Sequence, residues 1–148
     1  MTEIISRNLD VVYKIARMQS ANDADDIVQE VFLEYIRRTP QFINTEHERA
    51  WFIRTTTHRA RNLFKSAWRR RVESLDDVPI IIDFGFEDRN EVREALAKLS
   101  SEARTVVYLY YFEQQDVSAI ANILQISPSA VKKRLQRARE KLKTILEE

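Results

Sequence analysis

The chain has 148 residues and a formal net charge of +1, with one glycine, three prolines and no cysteine. That length suits one ordinary domain or two small ones. Sheet-based folds need more turn glycines, so the composition predicts an all-α fold. The lack of cysteine excludes disulfides, thiolate metal sites and cysteine catalysis, and it fits a reducing cytoplasm. There is no run of about 18 apolar residues and no signal-peptide pattern, so we expect a cytoplasmic protein without membrane insertion.

The net charge hides a strong partition along the chain. Residues 51–72 contain seven lysines and arginines and no acid, and residues 116–148 contain seven against four acids. Acids dominate elsewhere, by nine to six in residues 1–50 and by ten to four in residues 73–115. Two basic blocks separated by an acidic one predict two nucleic-acid contacts on one chain.

Residues 3–18 have the apolar spacing of a first helix. The residues predicted to face inward are Ile5, Leu9, Val12, Ile15 and Ala16. After a polar break, Asn22 or Asp23 is suited to cap a second helix. The residues predicted to face inward on that helix are Ile27, Val28, Val31, Phe32, Tyr35 and Ile36.

Acidic side chains crowd the start of this second helix. Capping and the helix dipole explain Asp23, Asp25 and Asp26. No glycine follows them at the spacing of a calcium loop, so we expect no metal site there.

The outer face of the second helix carries Asp26, Gln29 and Glu30, with Leu33 in their midst. A single exposed leucine needs no explanation. A leucine ringed by acids and a glutamine is also how a docking face for a basic partner helix would look. The spacing alone leaves both interpretations open.

Pro40 interrupts the helical pattern between residues 39 and 44, and a third helix is predicted over 45–71. Its inward residues are predicted to be Phe52, Ile53, Thr56, Ala60, Leu63, Phe64 and Ala67. The opposite arc is predicted to contain Trp51, Arg54, Thr55, His58, Arg61, Asn62, Lys65 and Arg69. Cations mixed with flat groups suit a nucleic-acid strand whose bases are exposed. Trp51 is equally well read as a wedge between helices, and His58 has no metal-binding or catalytic companion.

Residues 73–90 are predicted to be a linker. The segment is acidic and contains the only glycine, Gly85, together with the apolar stretch VPIIIDFGF. That stretch is too apolar for a freely solvated tether, so we expect part of it to pack on a domain or on a partner.

The helical pattern resumes at Glu91, with Ser100 or Ser101 capping a second helix whose core is Val106, Val107, Tyr110 and Tyr111. Residues 116–142 then have the pattern of a helix-turn-helix. Ser127 is a good N-cap, and Pro128 suits the first helical position. Gln125 is expected in the left-handed turn, at a cost of about 1 kcal/mol relative to glycine.

The last helix has two distinct faces. Its apolar residues are Val131, Leu135, Ala138 and Leu142. The residues predicted to face outward are Ser129, Lys132, Lys133, Gln136 and Arg137. Cations for phosphates and short polar groups for base edges are what a helix needs to read the major groove. The alternative is a bundle helix whose charges are merely solvated.

This layout resembles the small bacterial sigma factors of the extracytoplasmic-function group, in the sigma-70 family. DADDIVQEVFLEY at 23–35 resembles that family's polymerase-binding helix, and WFIRTTTHRARNLFKSAWRRR at 51–71 resembles its promoter-melting helix. LSSEARTVVYLYYFEQQDVSAIANILQISPSAVKKRLQRAREKL at 99–142 resembles its −35-reading domain, with Arg104 at the family's usual arginine. The resemblance implies a region 2-like domain at 1–72, a linker at 73–90 and a region 4-like domain at 91–148.

The resemblance also implies a function, which is transcription initiation without enzymatic activity or a cofactor. The implied partners are the RNA polymerase core, through its β′ clamp helices and β flap, promoter DNA and an anti-sigma factor. The residues expected to bind polymerase are Asp26, Gln29, Glu30 and Leu33. At the −10 element, the loop at 39–48 is expected to capture a flipped-out base with Phe42 and Asn44, and the strand is expected to contact His58, Arg61, Asn62 and Lys65. Those expected at the −35 element are Ser129, Lys132, Lys133, Gln136 and Arg137.

Several positions depart from the family pattern. Ser100 replaces a common proline, Ala119 a glutamate, Gln125 the turn glycine, Ala130 a threonine and His58 an asparagine. These departures bear on which promoter sequences are read, not on the fold.

Two other functions compete with this one. A stand-alone helix-turn-helix regulator would account for residues 99–148, but it gives no role to the faces at 23–37 and 51–71. An enzyme has little support, because the chain lacks a glycine-rich phosphate loop, carboxylates paired beside a histidine, and a nucleophile signature.

Overall fold

The computed structural model describes residues 2–19, 22–71 and 90–147, without the side chains of 63–71 and 90. The chain divides into two compact units, Met1–Ile80 and Ile81–Glu148. All regular structure in the described ranges is helical, which confirms the predicted all-α fold. Of the predicted linker at 73–90, residues 73–89 lie outside the described residues, and Asn90 already begins a helix.

The first unit contains α1 (Thr2–Gln19), α2 (Ala24–Arg38) and α3 (Thr45–Arg71), each packed against the other two. Its core residues are Val11, Val12, Ile15, Ala16, Met18, Ala24, Ile27, Val31, Tyr35, Phe52, Ile53 and Ala60. Two predicted core positions are wrong, since Leu9 and Ile36 are each 45% exposed. On α1 the buried stripe passes instead through Asn8 and Val11.

A polar network fastens α1 to α3. Arg7 donates from Nε and Nη2 to the two carboxylate oxygens of Glu48 at 2.6 and 2.7 Å. Asn8 Nδ2 donates to Glu48 Oε2 at 3.0 Å. These hydrogen bonds, led by those from Arg7, lower the pKa of Glu48 although its burial alone would raise it. The buried carboxylate of Glu48 therefore remains charged and links α3 to α1.

The second unit contains α4 (Asn90–Ala97), α5 (Ser101–Val107), α6 (Val117–Leu124) and α7 (Pro128–Glu147). A π-helical turn, Tyr108–Phe112, continues α5 and was not predicted. Helix α7 packs against α4, α5 and α6. The core residues are Ala95, Leu96, Leu99, Val106, Val107, Tyr108, Leu109, Ile120, Ala121, Ile123, Leu124, Val131, Leu135 and Ala138.

Capping side chains fix where the helices of the second unit begin. Ser100 Oγ accepts from the amide of Ala103 at 3.2 Å, and Ser127 Oγ accepts from the amide of Ala130 at 3.1 Å. The second contact confirms the predicted cap at Ser127, and the first selects Ser100 from the two candidates Ser100 and Ser101. In the first unit Asp23 holds the N-cap position of α2, but its side chain makes no capping hydrogen bond.

Two helix ends use a left-handed residue that is not glycine. Gln125 closes α6 with φ 59° and ψ 43°, as the sequence predicted. Thr39 closes α2 with φ 41° and ψ 57°. Both conformations are strained for residues that carry a Cβ, and β-branched Thr39 is the less tolerant of the two.

Candidate functional site

The outer face of α2 presents the predicted polymerase-binding residues together. Asp26, Gln29 and Glu30 are exposed, and Leu33 is 46% exposed beside them. Ile36 follows one turn later and extends the apolar strip. An apolar strip rimmed by carboxylates is suited to a helix that carries both leucine-sized and basic side chains.

Arg59 of α3 makes ion pairs with this acidic helix. Its Nε donates to Glu34 Oε2 at 3.1 Å, and its Nη1 lies 3.7 Å from Glu30 Oε2. Arg38 approaches the other Glu34 oxygen at 3.3 Å. Arg59 thus helps to hold α3 against α2, beside the predicted polymerase-binding residues.

The segment between α2 and α3 borders an open surface pocket of about 460 Å³. Its walls include the two predicted residues Phe42 and Asn44. Gln41 and Glu48 also line it and lie in the predicted 39–48 loop, although neither was named as a contact. Arg7 of α1 lines it too and was missed from the sequence. The chain between α2 and α3 was a sequence signal for Gln41, but only tertiary packing brings in the two charged groups. The pocket therefore combines flat, amide and charged groups of the kind that contact a nucleobase.

Tyr35 and Phe42, which line this pocket, belong to a larger aromatic cluster. Phe42 stacks on Tyr35 with ring centroids 6.4 Å apart and planes 11° apart. Trp51 lies edge-on to Phe52 at 4.9 Å and to Phe42 at 6.0 Å. Trp51 is half-buried in this cluster, as the interpretation of a wedge between elements requires.

The tip of the same segment is held by the start of α3. Asn44 Oδ1 accepts from the amide of His47 at 2.8 Å, and the amide of Ile43 donates to His47 Nδ1 at 3.1 Å. Asn44 thus caps α3 through its oxygen, which leaves its amide group as the part that can face a ligand. Ile43 is 87% exposed at the tip.

Three of the four α3 residues predicted at the −10 element have side chains that the structure describes. Asn62 is exposed, while His58 and Arg61 are half-buried at helical spacing from it. The side chain of Lys65 lies outside the described residues. On the other side of the helix Thr56 and Thr57 are buried, and their hydroxyls donate to the carbonyls of Phe52 and Ile53 at 2.6 and 2.7 Å. The buried hydroxyl groups of Thr56 and Thr57 are therefore satisfied within the helix.

The predicted −35 face of α7 is brought together in full. All five of its residues are exposed on one side of a continuous helix: Ser129, Lys132, Lys133, Gln136 and Arg137. The opposite side is buried through Val131, Leu135 and Ala138. The two faces match those that the sequence predicted.

A tyrosine pair, missed from the sequence, borders α7. Arg139 Nε donates to Tyr111 Oη at 2.6 Å, and its guanidinium carbon lies 5.6 Å from the ring centre of Tyr110. Tyr111 is 50% exposed, so its prediction as a core residue is wrong. The π-helical turn that carries these tyrosines explains the error, because it shifts the register that an α-helix would have kept.

Within the described residues, no three histidines, cysteines or acids are grouped closely enough to hold a metal ion. The same part of the chain contains no helix with the length and apolarity needed to cross a membrane.

Family models match most of the chain. The model of Sigma-70 region 2 matches residues 4–70, and the model of Sigma-70 region 4 matches residues 89–142. Among curated proteins, the RNA polymerase sigma factor SigV of Bacillus subtilis is 28% identical over 125 residues, which are 82% of this chain and 74% of SigV. The ECF RNA polymerase sigma factor EcfG of Rhodopseudomonas palustris is 27% identical over 146 residues, covering 90% and 77% of the two chains.

Solved structures share the fold. The sigma factor RpoE of Bartonella quintana, determined with the anti-sigma factor NepR, aligns with a TM-score of 0.71 at 23% identity over 99% of this chain and 96% of that one. CnrH, determined with the cytosolic domain of CnrY, aligns with a TM-score of 0.64 at 24% identity over 99% and 86%.

Proposed function

Because this chain belongs to the sigma-70 family, as an extracytoplasmic-function sigma factor that directs RNA polymerase to promoters, we propose that its units divide the task. Residues 1–72 bind the polymerase core and recognise and melt the −10 element. Residues 91–148 recognise the −35 element and contact the β flap, and residues 73–90 join the two. The protein is not an enzyme, because the chemistry of transcription belongs to the polymerase, and it acts in the cytoplasm, where polymerase and promoters meet.

We assign the α2 face to the β′ clamp helices of the polymerase. Its support is the exposure of Leu33 beside Glu30, Gln29 and Asp26, since a large apolar side chain ringed by acids is suited to a basic amphipathic partner. The Arg59 ion pairs with Glu30 and Glu34 orient two of the carboxylates on this helix.

We assign the pocket beside Phe42 and Asn44 to an unstacked base of the −10 element. A flipped base needs a flat apolar wall and hydrogen-bonding groups at its edge. The aromatic cluster supplies the first, and the Asn44 amide and Gln41 supply the second. His58, Arg61, Asn62 and Lys65 continue from there along the separated strand.

We assign the outer face of α7 to the major groove of the −35 element. A helix-turn-helix places its second helix there, and short polar or cationic side chains near the start of that helix reach base edges. Ser129, Lys132, Lys133 and Gln136 hold those positions on α7, with Arg137 at the edge of the same face.

An anti-sigma factor is the further partner that we propose. RpoE of Bartonella quintana was solved with the anti-sigma factor NepR, and CnrH was solved with the cytosolic domain of CnrY. The acid-rimmed apolar strip of α2 is the surface that such a factor would cover to keep the chain from polymerase.

The observation that carries the assignment of α2 to the polymerase is the exposure of Leu33 among acidic side chains. The chain offers a matched control for this residue. Leu9 on α1 is the same residue type at the same exposure, 45% against 46%, on a different helix. Leu33→Asp is expected to weaken binding to bacterial core polymerase by at least about 100-fold, because an interface charge without a partner costs several kcal/mol. Leu9→Asp is expected to bind like the unchanged chain.

Binding is measured by fluorescence anisotropy of the labelled chain against core polymerase, with circular dichroism to verify equal helical content. Equal affinities for the two variants would contradict the α2 assignment. If the unchanged chain failed to bind core while a known sigma factor bound in parallel, the polymerase role itself would fail. Tight binding of the free chain to a palindromic duplex would then favour a stand-alone regulator.

A further inference from the structure

The second unit has a pocket that shares only Arg137 with the assignments above. It lies between the start of α5 and the middle of α7, and its volume is about 380 Å³. Leu99 and Ala138 contribute buried apolar surface to its floor. Its charged lining is Arg134, Arg137 and Lys141 from α7 and Glu102 from α5. Three cations against one carboxylate give the pocket a positive potential.

The three cations form one ridge of α7. Their spacing of three and four residues stacks them along the same side of the helix. This ridge borders the outer face that contains Lys133 and Gln136. When a helix lies in the major groove, its outer face meets base edges, and its flanks pass the sugar–phosphate backbones. The ridge is therefore placed where a backbone would run.

The carboxylate in the pocket is held weakly. Arg134 Nη2 lies 3.7 Å from Glu102 Oε2, and the Glu102 side chain is 71% exposed. An exposed ion pair of this length contributes little and is readily exchanged for another anion. Arg139, on the opposite flank of α7, is engaged instead by Tyr110 and Tyr111. The two flanks of the helix therefore differ in how readily they accept a new anion.

We propose that this pocket binds one phosphate group of the promoter backbone beside the −35 major groove, with Arg134 and Lys141 as its cationic walls and Glu102 as a carboxylate that weakens it. The proposal rests on the assignment of α7 to −35 DNA. Arg137, which the sequence placed among the groove residues, also lines this pocket. The cluster sets the strength and salt dependence of binding but not the sequence read.

The test uses holoenzyme assembled from the full chain and core polymerase, with a promoter chosen by that holoenzyme from a randomised library. Promoter affinity is measured against potassium chloride concentration for the double variant Arg134→Gln/Lys141→Gln and for Glu102→Gln. Lys143→Gln is the matched control, since Lys143 is an exposed lysine of the same helix that does not line the pocket. Circular dichroism verifies that each variant is folded.

The double variant Arg134→Gln/Lys141→Gln is expected to bind about tenfold more weakly at fixed salt, and its plot of log affinity against log salt should flatten by about 0.9, the value for one phosphate. The loss should be the same for every −35 sequence tested. Glu102→Gln should bind about threefold more tightly, because it removes a carboxylate that competes with the phosphate. Lys143→Gln should match the unchanged chain.

If the double variant matches Lys143→Gln, or if Glu102→Gln fails to tighten binding, the proposal is overturned. A loss of core binding at unchanged promoter affinity would also overturn it, by giving the pocket to a protein contact. The −35 assignment is tested separately with the variants Lys133→Ala and Gln136→Ala. Each of them should change the −35 sequence that the holoenzyme prefers. If these two variants leave sequence preference unchanged, the −35 assignment fails whatever the pocket variants do.

Discussion

Each of the two units buries a charged side chain, but within the part of the chain that the structure describes only the one in the first unit has hydrogen-bond partners for its charged group. In the first unit Glu48 is 3% exposed and accepts hydrogen bonds from Arg7 and Asn8. In the second unit Arg104 is 2% exposed, and its Nε and Nη1 have no hydrogen-bond partner among the described residues. Desolvation lowers the pKa of Arg104, whereas hydrogen bonding lowers that of Glu48. The first pKa shift reports a charge that burial disfavours, and the second a charge that its partners stabilise.

The surface cations follow the same division. In the first unit Arg7, Arg49 and Arg59 pair with carboxylates of another helix, at 2.6, 3.3 and 3.1 Å. In the second unit the ridge of α7 faces one loosely held carboxylate, Glu102. These three arginines of the first unit therefore join helices, whereas the α7 ridge lies beside the proposed DNA-binding face.

Removing the charge of Glu48 should have the largest effect on stability. Glu48→Gln keeps the shape of the side chain but replaces a charged acceptor by a neutral one. We expect the free energy of unfolding of the first unit to fall by about 2 kcal/mol, since hydrogen bonds to charged groups are the stronger ones. Urea unfolding followed by tryptophan fluorescence measures this, because both tryptophans, Trp51 and Trp68, belong to the first unit.

The pH dependence gives this prediction a second readout. The pKa of Glu48 lies below its ordinary value of 4.5, so the unfolded chain takes up the proton first as pH falls. The stabilisation is full above that ordinary value and is lost as pH falls through the folded pKa. The unchanged chain and Glu48→Gln should therefore converge in acid. The control is Glu46→Gln, an exposed acid in the same first turn of α3, and an equal loss there would contradict the prediction.

Periodicity predicted the helices well because each has an apolar stripe and a recognisable start. The caps at Ser100 and Ser127 and the left-handed Gln125 were predicted, because each depends on residues near in sequence. The outer face of α7 was predicted for the same reason. The predictions that Leu9 and Ile36 are core residues were wrong. An apolar stripe shows which side of a helix faces the core, but it does not show how much of that side the neighbouring helices cover.

The parts of the site that the sequence missed depend on contacts between distant segments. In the sequence, Glu48 is one of several acids at the start of a helix. Only the packing of α1 against α3 buries it beside Arg7, which lies more than forty residues earlier in the chain. Glu102 and Arg134 come together in the same way across α5 and α7. Long-range pairs of charges leave no periodic signal, so they were found only from the fold.

Replacing Arg104 tests the other half of the comparison. Arg104→Met keeps a long, flexible side chain and removes a charge that burial disfavours. We expect the second unit to gain about 1 kcal/mol of stability, because exchange of a buried charge for an apolar group of similar volume is often stabilising. Hydrogen exchange of peptides from α5 and α7, followed by mass spectrometry, measures this unit separately. A loss of stability would contradict this prediction and the contrast with Glu48.

The smallest effect concerns the two strained helix ends, one in each unit. Gln125 adopts φ 59° and ψ 43°, and Gln125→Gly removes the clash of its Cβ at the loss of one exposed hydrogen bond to the carbonyl of Asn122. We expect a gain of about 0.5 kcal/mol in the second unit, because the left-handed conformation costs a residue other than glycine roughly 1 kcal/mol.

Thr39→Gly should stabilise the first unit by more than this, since a β-branched side chain tolerates φ 41° less well. Thr39 also lines the pocket of Phe42 and Asn44, so strain there sits beside the proposed base-binding site, whereas Gln125 lies in a turn. Thr39→Gly should therefore also lower −10 discrimination, and Gln125→Gly should leave it unchanged. Equal effects of the two on promoter selection in vitro would show that the strain at Thr39 has no part in base recognition.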